Sequence, residues 1–133
     1  MIYILDTNTC IFWLKNAGNV RNQVNAHSAD KITTSIVSVA ELYYGVENSD
    51  EARKEKNLSK LEELIGEIGY VELSLTAAKH FGEHKARLRK LGQPIADLDL
   101  MIASIALSEE AVLVTDNLKH FERITGLRLE NWK

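Results

Sequence analysis

IYILDTN (residues 2–8), running on into TCIFWLK (residues 9–15), is the stretch that decides how this chain folds. Residues 2–5 form a short β-branched and aromatic run, DTN is turn chemistry, and the apolar residues of CIFWLK suit a helix. The order is strand, turn, helix, with the carboxylate of Asp6 directly after the strand.

The same order recurs downstream. After a polar stretch at 16–31, ITTS at 32–35 reads as a second strand and SVAELYYGVE at 38–47 as the helix that follows it. Residues 50–66 are charge-rich with Leu58, Leu61, Leu64 and Ile65 at helical spacing, which predicts an amphipathic helix. YVEL at 70–73 is expected to be a third strand, and residues 76–91 a helix stopped by Gly92 and set apart by Pro94. DLDLMIASIAL at 97–107 is a strongly apolar helix, and AVLVT at 111–115 is a continuous β-branched strand. A short helix near 118–124 and the tail LRLENW complete the chain. Alternating strands and helices imply an α/β fold of three layers, α/β/α, around a central, mainly parallel sheet of four to five strands, in one domain over residues 1–133.

Bulk properties narrow the function. The 133 residues suit one ordinary domain, and 45% hydrophobic with 26% charged residues is a globular composition. No apolar run approaches the roughly 18 residues that span a bilayer. MIYILD lacks the basic and apolar pattern of a secretory leader, so the expected location is cytoplasmic and away from the membrane. Cys10 is the only cysteine, which excludes an intramolecular disulfide and a cysteine-based zinc site; its apolar setting reads as core. A net charge of −3 argues against gripping nucleic acid by bulk electrostatics, so any such contact must be local or bridged by metal.

In a parallel α/β sheet, ligands gather beyond the carboxyl ends of the strands, where the connecting helices also begin. Asp6 follows the first strand, Glu41 lies just after the second, Asp99 is in the first turn of the apolar helix, and Asp116 follows AVLVT. Four acids therefore converge on one edge. Crowded like charges are costly and point either to raised pKa values or to a bound cation, and all-oxygen donors suit Mg²⁺ or Mn²⁺.

Each acid also has a structural reading. Asp6 can serve as a turn or cap residue, and Ser38 with Glu41 matches the S-x-x-E capping box. Asp99 shares a helical face with the inward stripe of Ile102, Ala103, Ala106 and Leu107, whereas Asp97 lines up with Met101, Ser104 and Ser108. Asp97 is thus read as an N-cap or a residue behind the ligands. Asp116 and Asn117 can each be turn residues. Thr7, Asn8 and Thr115 are expected to support the carboxylates. Lys79, Lys85, Arg87, Arg89 and Lys90 either position a nucleic-acid backbone or form a solvated helix face. HFGEH at 80–84 matches the H-x-x-E-H zinc arrangement, but no third-ligand motif follows it and the helix has a surface pattern. His27 and His120 read as surface residues, and Tyr43 and Tyr44 as core or interface.

LDTN at 5–8, SVAELYYG at 38–45, GQPIADLDLMIA at 92–103 and VLVTDNLKHFERITGLRLENW at 112–132, taken in order and spacing, resemble the VapC-type PIN-domain toxins over nearly the whole chain. The resemblance implies Asp6, Glu41 and Asp99 as core acids. It also implies a fourth position at Asn117, with Asp116 beside it. It further implies RNA cleavage with Mg²⁺ or Mn²⁺, inhibition by a VapB-like antitoxin, and a homodimer. A DNA-directed nuclease, or a non-catalytic partner-binding module docking through residues 50–66, are the alternatives the residues leave open.

Overall fold

The structure is a computed structural model describing residues 1–133. Its element order is β1 (Ile2–Leu5), α1 (Thr7–Leu14), α2 (Val20–Ala26), β2 (Lys31–Thr34), α3 (Ile36–Glu47), α4 (Glu51–Ile68), α5 (Leu75–Lys90), α6 (Asp97–Ser108), β3 (Val112–Val114), α7 (Leu118–Phe121) and β4 (Arg128–Glu130). The four strands form one sheet in the order β2-β1-β3-β4, and every pairing is parallel.

Side chains alternate across a strand, so a sheet covered on both sides needs apolar residues at every position. β1 and β3 meet that demand. Tyr3 and Leu5 join Val112 and Val114 in a core with Cys10, Leu42, Val46, Leu61, Leu64 and Trp132. Ile4 and Leu113 point the other way, into a core with Leu88, Leu100, Ile102, Ile105 and Phe121. The sheet is thus the middle of three layers. α6 is nearly buried all round, with Leu100 and Ile102 through Ala106 inside, which accounts for its lack of a polar face.

The expectations for three segments are corrected by the structure. Residues 70–73 do not form a strand: Val71 makes a single parallel bridge to Ser35, receiving the Ile36 N–H at 2.8 Å and donating to Thr34 O at 2.8 Å. The fourth strand is instead taken from the tail, where Arg128, Leu129 and Glu130 pair with Val112, Leu113 and Val114. Within the polar stretch 16–31 lies α2, whose only two large apolar residues, Val20 and Val24, stand one turn apart; Val20 is fully buried and Val24 packs partly buried against the same core. No helix is long and apolar enough to cross a membrane. α4 turns Leu61 and Leu64 inward, so the apolar face of residues 50–66 is spent on the core.

From β1 the chain crosses to β2 on one side, and β3 lies on the other. That reversal creates a crevice at the carboxyl ends of β1 and β3, the position where open parallel sheets bind ligands.

Candidate active site

Asp6 closes β1 and opens α1. Its backbone N–H donates to Val114 O at 3.0 Å, which locks the end of β1 to the end of β3. Its side chain caps α1, with Oδ1 accepting the Thr9 N–H at 2.8 Å. Capping and site membership are therefore compatible, because the cap uses one carboxylate oxygen and leaves the other. Asp6 is 6% exposed. Burial raises its pKa; hydrogen bonds from Thr115 and Thr9 oppose the shift, and the nearby charge of Asp116 adds to it.

Thr9 is the residue that sequence reasoning missed here. It is buried, and its hydroxyl donates to Val114 O at 3.1 Å. Asn8, expected to hold the carboxylates, is exposed on the first turn of α1. Thr115 is fully buried and accepts the Asn117 N–H at 3.0 Å, and its hydroxyl, beside Asp6, holds down the rise of that carboxyl's pKa.

Glu41 lies in the second turn of α3, and the Ser38–Glu41 capping box does not form. The helix starts at Ile36, capped by Ser35, whose Oγ accepts the Ser38 N–H at 3.0 Å. The helix thus begins two residues ahead of the expected 38, at Ile36, directly after the Ser35 bridge to Val71 that closes the strand end. Released from capping, Glu41 accepts the Thr7 hydroxyl at 2.6 Å, a short charge-assisted bond. Hydroxyls at Ser35, Ser38 and Thr7 stand in line behind it, 3.2 and 3.0 Å apart. α1 and α3 are thereby joined at the carboxylate.

α6 supplies two acids in its first turn, where the helix dipole favours negative charge. The N-cap is Ala96, so Asp97 is not the cap. Asp97 is exposed and pairs with Lys85 at 3.0 Å. Asp99 instead faces the site; desolvation raises its pKa, the charge of His120 lowers it, and the charge of Glu41 raises it. His120 on α7 is not a plain surface residue, because its Nε2 lies 3.6 Å from Asp99 Oδ2.

At the end of β3, Asp116 is half-buried and interacts with Asp6, while its Oδ1 is sealed from solvent with no partner. Lys133 Nζ stands 4.0 Å from Asp116 Oδ2, another contact the sequence did not signal. Asn117 is exposed and its side chain makes no cap bond. The edge thus carries two neighbouring acid pairs, Asp6 with Asp116 and Asp99 with Glu41. No three of the chain's Asp, Glu, His and Cys side chains stand close enough together to hold a metal ion.

Several other sequence readings resolve here. His84 of the H-x-x-E-H match is buried and its Nδ1 meets Arg87 Nη2 at 3.1 Å; its pKa is lowered by burial and by Arg87, and no zinc-holding group forms around it. Arg87 also donates to Arg123 O at 2.8 Å, so it is committed to the fold, whereas Arg89, Lys79 and Lys90 are exposed. His27 stacks on Trp132 at 4.8 Å and meets Tyr3 edge-on at 4.6 Å. Cys10 is fully buried and its thiol pKa is pushed up to about 12, consistent with core. Tyr43 and Tyr44 are exposed and are not core.

A parallel α/β sheet with acids at its switch point defines the class, and the PIN-domain family model matches residues 3–127; the chain belongs to that family. Within it, the similarity is to VapC proteins. The chain is 39% identical over 131 residues to the tRNA(fMet)-specific endonuclease VapC of Shigella flexneri, covering 98% of this chain and 97% of that protein. It is equally identical over 131 residues, with the same coverage, to ribonuclease VapC2 of Haemophilus influenzae. The toxin–antitoxin complex VapBC2 of Rickettsia felis, solved with promoter DNA, contains a chain that superposes with a TM-score of 0.93 at 38% identity and full coverage of both chains. DNA-bound VapBC of Salmonella typhimurium gives 0.91 at 38% identity, covering 100% of this chain and 99% of that one.

Proposed function

We propose that this chain is the endoribonuclease toxin of a toxin–antitoxin pair, hydrolysing RNA phosphodiester bonds with Mg²⁺, or Mn²⁺ in its place, held by Asp6, Asp99 and Glu41. The observation that carries this reading is the buried Asp6 at the β1/β3 switch point, with Asp116 beside it and the Asp99–Glu41 pair on the same edge.

The donor chemistry of the edge suits a hard divalent cation, which would have to draw together acids that stand here in separate pairs. Every carboxylate donor is oxygen, Asp6 and Asp99 are harder to ionise without a counter-charge, and Asp116 Oδ1 is buried and unpartnered. On the same ground Asp116, and not the exposed Asn117, is the fourth carboxylate position. A bound divalent ion supplies charge compensation on the phosphate and a water that deprotonates near neutral pH.

The chain's own residues do the rest. Thr9 and Thr115 hold Asp6, and Thr7 fixes Glu41 so that its other oxygen can orient or deprotonate the attacking water. Arg89 on the exposed face of α5 is available to a phosphate, a contact Arg87 is too engaged to make. Purified chain is expected to cleave RNA in Mg²⁺, with tRNA(fMet), for which the Shigella flexneri relative is specific, as first substrate, and to leave DNA of the same sequence intact. Chelator and Asp99→Asn should each stop cleavage, and a co-expressed VapB-like antitoxin should silence it. Cleavage that survives both chelator and Asp99→Asn would sink the metal reading. With RNA as its substrate, the chain is expected to work in the cytoplasm.

The homodimer reading has a surface to rest on. A groove of 710 Å³ next to the site is lined by Ile36, Val37, Ala40, Tyr44, Leu73 and Leu98, with Thr7 and Glu41 at its edge. Tyr44 is 69% exposed and Leu98 48%, an apolar patch of the kind that marks an interface. Sedimentation velocity should find a dimer for the parent chain and a monomer for Tyr44→Lys; a parent monomer at micromolar concentration would refute it.

A further inference from the structure

Ser38, in the first turn of α3, is sealed from solvent. A buried helical serine ordinarily returns its proton to a carbonyl of its own helix. Ser104 and Ser108 of α6 do so, donating to Leu100 O and Ile105 O, each at 2.7 Å. Ser38 does not. Its Oγ stands 3.2 Å from Ser35 Oγ and 3.0 Å from Thr7 Oγ1, which lies across on α1.

Each hydroxyl has one proton to give and lone pairs to receive, so the direction of the row can be counted. At its buried end the Ser38 backbone N–H, which can only donate, gives to Ser35 Oγ at 3.0 Å. At its other end the Thr7 proton goes to Glu41 Oε1 at 2.6 Å, the shorter and charge-assisted of the two contacts Thr7 makes. With that proton spent, the contact between Thr7 and Ser38 is filled by the Ser38 proton. The contact between Ser38 and Ser35 is filled by the Ser35 proton. Every hydroxyl then donates once and accepts once. The reverse order would leave the proton of fully buried Ser35 without an acceptor, which is costly. Hydrogen bonds aligned head to tail also polarise one another.

We propose that Ser38 is a positioning residue for the cleavage reaction: with Ser35 it holds the Thr7 O–H on Glu41 Oε1, so that the second Glu41 oxygen is the one presented to the attacking water. The inference rests on the reading of Glu41 given above and adds to it two buried residues that touch neither water nor RNA. Thr7 is only half-buried, and without Ser38 its hydroxyl is free to turn away from the carboxylate. α3 thus orients its own acid through a neighbouring helix.

The test compares steady-state RNA cleavage by the parent, Ser38→Ala, Ser38→Cys, Glu41→Gln and the Ser38→Ala/Glu41→Gln double variant, beside NMR of the ¹³C-labelled Thr7 methyl. Both Ser38 variants should lose about tenfold or more in kcat with KM unchanged, since cysteine keeps the shape but donates weakly. On the Glu41→Gln background, Ser38→Ala should cost nothing further. The Thr7 methyl should report one side-chain rotamer in the parent and averaging in Ser38→Ala. A parent kcat in both Ser38 variants overturns the proposal, as does a loss repeated in full on the Glu41→Gln background; each leaves the Glu41 reading standing. A Thr7 methyl already averaged in the parent overturns it whatever the activity. Parent-like cleavage by Glu41→Gln overturns the Glu41 reading and the proposal with it. Circular dichroism, expected to match the parent, separates lost positioning from unfolding.

Discussion

Asp6→Asn is expected to lose at least about 10²-fold in RNA cleavage and at the same time to melt higher than the parent chain at neutral pH. The two effects have one cause. Asp6 is buried where its charge is unwelcome without a compensating cation, and burial raises its pKa above the ordinary 3.8. The stability associated with the protonated carboxyl is complete below that ordinary value and is lost as pH rises through the raised folded value. Asn mimics the neutral acid and still accepts the Thr9 N–H as an N-cap. Thermal melts of metal-free parent and variant should therefore coincide in acid and separate as pH rises, with the variant above. A variant that melts lower at neutral pH would show that the Asp6 charge is satisfied within the fold, and the case for a site built to receive a cation would weaken.

Glu41→Gln should cut cleavage by about 10²–10⁴-fold, the range typical of a positioned acid or base, with stability changed by no more than about 0.5 kcal/mol. Helix α3 is capped by Ser35, so Glu41 has no capping duty, and Gln still accepts the Thr7 hydroxyl. Ser35→Ala supplies the contrast: it removes the true cap and should cost about 1 kcal/mol. Urea denaturation of both variants decides the matter. A large stability loss in Glu41→Gln with an unaffected Ser35→Ala would restore the capping-box reading that the sequence suggests.

The acidic edge was legible because strand ends are legible. IYIL and AVLV are apolar at every position, as only a strand covered on both faces needs to be, and the acid after each falls at the carboxyl end whatever the helices between them do. Asp99 stands out from Asp97 in sequence because it shares a face with Ile102, Ala103, Ala106 and Leu107; the structure buries α6 nearly all round, Ser104 on the Asp97 face included, and separates the two acids by their partners, His120 for one and Lys85 for the other. Where the signal is short-range and ambiguous, local composition does not decide the element. YVEL has strand composition, yet Val71 reaches only Ser35 because the chain turns there into α5. RLE at 128–130 has half-buried, charged composition and is a strand because it finds the open edge of β3. Edge strands are chosen by what lies beside them more than by their own residues.

By itself, then, the sequence determined the parallel α/β plan, the buried thiol of Cys10 and the set of acids at the strand ends, since these follow from periodicity and polarity that are local along the chain. Tertiary structure decided which polar atoms face one another. It set Thr115 and Asp116 beside Asp6, gave Glu41 to Thr7 instead of Ser38, turned Arg87 inward and brought His120 to Asp99. Those pairings join residues up to more than a hundred positions apart, where packing of helices on a sheet, and no pattern in the chain, fixes the distance.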